Sequence, residues 1–95
     1  MNKFGDLIRA KREQREMLLR HLSAELDIDT AQMSKIERGE RTAKPEQVNQ
    51  LIKIFKLDKK EGRALWLADQ ICAIVAQEDE AVRALNIALN RIETI

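Results

Sequence analysis

Five side chains within a six-residue stretch carry the most specific chemistry in the sequence: Thr30, Ala31, Gln32, Ser34 and Lys35. Gln32 can donate and accept at once, which matches the N6 and N7 edge of adenine. Lys35 can reach O6 and N7 of guanine, and Thr30 or Ala31 can touch a thymine methyl. A bidentate contact of that kind discriminates against a wrong base by about 1–3 kcal/mol. Arg38, Arg41 and Lys44 follow closely. Cations so placed suit phosphate oxygens, which supply affinity and register but no sequence information. On an arbitrary amphipathic helix the same residues would be a plain solvated face, so the decision rests on the elements that position them.

Those elements lie between Leu22 and Gly39, LSAELDIDTAQMSKIERG. Leu22 and Leu26 are spaced i, i+4 and share one helical face. Asp27-Ile28-Asp29 interrupts that helix with two turn-prone acids around one apolar anchor. Asp29 then suits an N-cap, and Gln32 three residues later makes a capping-box pattern. Met33 and Ile36 give the second helix its inward stripe, and Gly39 ends it as a residue that accepts positive φ. A short helix with a small, polar outer face, braced by another behind it, is a helix-turn-helix.

Leu22-Ser23, Leu26-Asp27-Ile28, Met33-Ser34-Lys35-Ile36-Glu37-Arg38-Gly39, Arg41 and upstream Arg12 together resemble the Cro/cI-repressor type of helix-turn-helix, the XRE family, over roughly residues 4–57. The resemblance implies a lambda-repressor-like fold that reads a DNA groove through Thr30, Ala31, Gln32, Ser34 and Lys35. It also implies a partly buried ion pair between Arg12 and Glu37, tying the first helix to the end of the third. The start of the second helix departs from the pattern. Leu18-Leu19-Arg20 stands where the family offers a polar residue to grip a phosphate, so Arg20 or His21 is the substitute. Ser23 replaces the usual Ala and keeps the small size a helix crossing needs. Asp27 replaces a turn glycine and tolerates the left-handed conformation better than most residues.

Composition sets the bounds. Ninety-five residues, 44% apolar and 35% charged, make one small domain, or one with an appendage. The net charge of +1 divides unevenly, +3 over residues 1–56 and −2 over residues 57–95. DNA binding must therefore rest on a local basic edge. Single Cys72 excludes an internal disulfide and fits a reducing compartment. It reads as a small buried hydrophobe. No apolar run approaches the roughly 20 residues that span a bilayer, and MNKFGDLIRAKREQ has no apolar signal segment. A cytoplasmic location is the expectation. His21 and one Cys cannot form a metal site. No Gly-rich phosphate loop or cluster of reactive side chains is present, so neither enzyme activity nor a cofactor is expected.

The class is all-α, with four to five helices and a C-terminal two-helix extension. Helices are expected from Phe4 to about Arg15, Leu18 to about Leu26, Thr30 to Arg38, and Pro45 to Phe55. In the last, Val48, Leu51, Ile52 and Phe55 repeat at i, i+3, i+4, i+7. Residues 1–57 then form the DNA-binding domain and residues 58–95 a helical hairpin. Asp58 with Glu61 opens its first helix, to about Gln77, and Glu78 or Asp79 opens its second, to about Glu93. A break of two or three residues between them predicts antiparallel packing.

Leu65, Trp66, Val82, Leu85, Leu89 and Ile92 are the candidates for a homodimer interface in that tail. Trp66 could equally anchor the tail to the main domain. Arg20, Arg38, Arg41 and Lys44 are the phosphate candidates. The expected function is transcriptional regulation by a homodimer at an inverted repeat in double-stranded DNA. The competing class is a protein-interaction module, such as an antitoxin, whose tail binds a partner. Restriction-modification controllers, phage-type repressors and antitoxins share these features.

Overall fold

Asn2, Asp29 and Asp58 each start a helix by turning a side-chain oxygen onto a first-turn N–H. Asn2 Oδ1 accepts from Gly5 at 3.2 Å, Asp29 Oδ1 from Gln32 at 2.7 Å and Asp58 Oδ2 from Glu61 at 2.8 Å. Such caps satisfy donors that no residue of the helix itself can reach. A computed structural model describes residues 2–95, and among them there are six helices and no strands. They are α1 (Lys3–Gln14), α2 (Leu19–Glu25), α3 (Thr30–Arg38), α4 (Pro45–Phe55), α5 (Lys59–Val75) and α6 (Ala81–Glu93). The all-α architecture is therefore present. Pro45 opens α4 at a position where its missing N–H costs nothing, and Gln47 Oε1 accepts from the Lys44 N–H at 2.8 Å.

The first four helices close in one way. The second or third residue past each end donates its N–H back across the last turn: Met17 to Arg12 O, Ile28 to Ser23 O, Glu40 to Lys35 O and Leu57 to Ile52 O. The residue before each donor must take a left-handed conformation. Gly39 does so at φ +77° without a Cβ penalty; Glu16, Asp27 and Lys56 do so at φ +53° to +55°. The turn at Asp27 is thus made by a residue that accepts some strain.

Helix α1 is the hub and packs on α3, α4 and α5. Phe4 and Ile8 from α1 join Leu22, Leu26, Met33, Ile36, Val48, Leu51, Ile52 and Phe55 in one core. Where α1 meets α3 the backbones nearly touch, because a Cβ on Gly5 would lie 2.5 Å from the Glu37 carbonyl oxygen.

The C-terminal third departs from the expected hairpin in three respects. First, α5 belongs to the packed domain. Gly62 and Trp66 are buried against it, and a Cβ on Gly62 would lie 3.0 Å from Ile52 Cδ1. Packing therefore continues past Leu57. Second, α5 and α6 are separated by residues 76–80, and their antiparallel pairing is not among the packed helix pairs. Helix α6 buries none of its residues. The inner face of α5 is already committed to α1 and α4, and α6 packs closely on no helix among the described residues. Third, Cys72 is exposed because it lies on the uncovered side of α5.

Candidate nucleic-acid interface

The crossing of α2 and α3 sets the direction of the α3 side chains that could meet DNA. Leu22, Leu26, Met33 and Ile36 are buried between the two helices and the core. Ser23 sits at the crossing, 3% exposed. Its hydroxyl donates to Arg20 O at 3.0 Å and lies 3.3 Å from Thr30 Oγ1. A larger residue would force the helices apart, and the hydroxyl bond removes the cost of burying a polar atom there.

With Met33 and Ile36 fixed inward, Thr30, Ala31 and Lys35 are exposed, and Gln32 and Ser34 are partly exposed. Only half of the capping box forms. Asp29 accepts from the Gln32 backbone N–H, but the Gln32 amide makes no hydrogen bond within the described residues. Its donor and acceptor stay available to a ligand, so Asp29 performs the capping while Gln32 is left unengaged.

The phosphate candidates differ in their electrostatic surroundings. Arg20, Arg38, Arg41 and Lys44 are all exposed. The Arg38 guanidinium meets Glu40 at 2.6 Å, each side chain about half exposed. Arg20, Arg41 and Lys44 form no ion pair within the described residues, nor does Lys35. Arg38 is thus partly neutralised, and Arg41 and Lys44 carry the unopposed charge beside the end of α3.

The loop that presents Arg41 and Lys44 is held from behind. The Arg41 N–H donates to Lys35 O at 3.3 Å. Ala43 is buried, and its carbonyl accepts the Trp66 indole N–H at 2.9 Å. Trp66, 9% exposed, therefore anchors α5 to the domain and is withdrawn from the surface expected for a dimer contact. Leu65 is half-buried against the same core, whereas Val82, Leu85, Leu89 and Ile92 are exposed.

The end of α3 is tied to α1 twice. Arg12 Nε and Nη2 grip Glu37 at 2.7 and 3.1 Å, and Arg12 Nη1 donates to Met17 O at 2.9 Å. The hydrogen bond to Glu37 holds the guanidinium above its ordinary pKa, against the opposing pull of partial burial. This pairing turns the Glu37 carboxylate inward, away from the face that carries Lys35. Asn2 makes the second tie, donating Nδ2 to Glu37 O at 2.6 Å while Oδ1 caps α1.

Asn2 and Asp69 have roles that sequence reasoning missed. Asp69, from α5, accepts the N–H groups of Lys3 at 3.1 Å and Phe4 at 2.8 Å, a second cap on α1 from 65 residues away. Asn2 was findable, as a cap-forming residue just ahead of an apolar stripe. Asp69 gives no local signal, being an acid in the middle of a helix.

The arrangement offers an exposed, basic-edged helix face. Among the described residues no group of His, Cys, Asp and Glu could hold a metal, and no helix is long and apolar enough to cross a membrane. In comparison with known proteins, the helix-turn-helix domain family matches residues 3–66, the stretch from α1 to Trp66. No curated protein and no solved structure matches the chain.

Proposed function

The chain belongs to the helix-turn-helix family of DNA-binding regulators, and we propose that it reads duplex DNA by sequence, as a homodimer on an inverted repeat. Helix α3 enters the major groove. Gln32 and Lys35 contact base edges, and Thr30, Ala31 and Ser34 make the close, small contacts beside them. Arg41, Lys44 and Arg20 hold phosphates, and Arg38 joins them when Glu40 releases it. The observation that carries this reading is the unengaged Gln32 amide, on a helix whose inner face is locked by Met33 and Ile36.

A single α3 covers only a few base pairs, so useful affinity calls for two copies. In that arrangement the two α3 helices face successive major grooves about 34–36 Å apart. The function so described is transcriptional regulation of Cro/cI type, with no catalytic step, and the family is typically non-enzymatic. The test is selection from a random duplex pool, followed by titration of the enriched duplex with wild type and with Gln32→Ala. Enrichment of a palindrome, and loss of preference at one base pair per half-site in the variant, support the reading. A pool without enrichment overturns it.

The uncovered apolar residues of α5 and α6 favour a second reading, in which the tail engages a different protein, as an antitoxin does. A purified chain that is monomeric and shows no base preference would favour that reading over the first.

A further inference from the structure

Nine of the ten large apolar side chains exposed among the described residues lie from Leu67 onward, and Leu18 is the exception. Scattered apolar residues need no explanation, whereas a contiguous patch marks an interaction surface. Helix α6 sharpens the point. It has 13 residues, no side-chain cap and no buried residue. A helix of that length is marginal in water by itself and takes its stability from packing an apolar face. Val82, Leu85, Leu89 and Ile92 form such a face, and it requires an occupant.

Helix α5 indicates which occupant. Opposite Trp66 runs the seam Ala64, Ala68, Ile71 and Val75, spaced four, three and four, the repeat of paired helices. Two copies laid antiparallel, with the twofold axis between positions 69 and 70, set Ala68 against Ile71 and Ala64 against Val75. Each layer then joins a small residue to a large one. The same alignment lays Lys59 and Lys60, at the start of α5, beside Glu78, Asp79 and Glu80, just past its end in the other copy. A parallel alignment would set each group against its own charge.

The antiparallel pair also delivers the start of α6 to the first turn of the partner's α5. There a groove of about 510 Å³ opens, lined by Leu7, Leu57, Asp58, Glu61, Leu65 and Ala68.

We propose that the outer face of α5 and the apolar stripe of α6 are covered by a second copy of this chain. The α5 helices pair antiparallel through the Ala68–Ile71 layer, and each α6 lies in the α1–α5 groove of the other copy. The interface is isologous. This specifies the homodimer proposed above and rests on that reading.

The test is sedimentation of the full chain as wild type, Ile71→Glu and Leu85→Glu. Ile71 is 45% and Leu85 37% exposed, so neither substitution enters the core. Wild type should sediment as a dimer and both variants as monomers. A wild-type monomer, or variants that stay dimeric, overturns the proposal.

Orientation is tested by mixing Lys59→Glu/Lys60→Glu with Glu78→Lys/Asp79→Lys. Each should self-associate at least tenfold more weakly than wild type, and the mixture should form the heterodimer. Self-association of either variant as tight as wild type, or absence of heterodimer preference, overturns the antiparallel alignment. Titrating Ile71→Glu on a half-site duplex separates the two readings. A monomer that keeps base preference leaves groove reading intact; a wild-type dimer without base preference removes groove reading and leaves this interface standing.

Discussion

Trp66 donates its indole N–H to the carbonyl of Ala43, 23 positions earlier, at 2.9 Å, and both groups are buried. One bond thereby ties α5, which carries both core and uncovered apolar residues, to the loop that presents Arg41 and Lys44. Replacing Trp66 by Phe keeps an aromatic ring but strands the carbonyl, and an unsatisfied buried acceptor costs about 1–3 kcal/mol. Urea unfolding followed by circular dichroism should show a loss in that range. Phosphate affinity should fall as well, because the loop loses its rear support.

The Arg12–Glu37 pair ties the end of α3 to α1. Arg12 is 15% and Glu37 5% exposed at the side chain. Breaking such a pair from one side leaves a charge with little water around it and costs roughly 3 kcal/mol. A double-mutant cycle with Arg12→Met and Glu37→Leu should show each single variant strongly destabilised and the double variant less so than their sum. Additive losses would mean that the two side chains act independently.

Three helix ends are closed by non-glycine residues in the left-handed region: Glu16, Asp27 and Lys56. That conformation costs an ordinary L-residue about 1–2 kcal/mol. Glu16→Gly and Lys56→Gly should therefore raise stability, each by about 1 kcal/mol once the greater freedom of the unfolded glycine is subtracted. Asp27→Gly should gain less, since Asp visits that region more readily. Thermal unfolding of the three variants gives the order.

Glu40→Gln and Arg41→Ala should move duplex affinity in opposite directions. Glu40→Gln removes the carboxylate 2.6 Å from Arg38. It should strengthen binding to any duplex and steepen the salt dependence. Arg41→Ala should weaken all sequences about equally and flatten the slope of log K against log salt by about one unit. Titrations at several salt concentrations measure both effects.

The sequence was most informative where a helix is bounded by local chemistry. Asp29 and Gly39 delimit α3, and Pro45 with the Val48–Phe55 stripe delimits α4, so both spans were readable from adjacent residues. The outward set from Thr30 to Lys35 followed from the same periodicity. Contacts made at a distance were not readable. Asp69 capping α1 and Trp66 reaching Ala43 depend on how α5 docks, and nothing near either residue marks it. The close pairing expected of α5 and α6 is not among the packed helix pairs, for a related reason. Complementary apolar stripes on α5 and α6 predict that the helices bury those faces, but they do not say whether the partner belongs to the same chain. Cys72 was misplaced by the same step.

On the proposed function, α3 reads base edges through Gln32. Titration of a duplex selected from a random pool, compared with duplexes changed at one base pair per half-site, tests it most directly. Wild type should lose about 1–3 kcal/mol at the contacted pair, and Gln32→Ala should bind both duplexes equally. Gln32→Ala discriminating as well as wild type would contradict the claim.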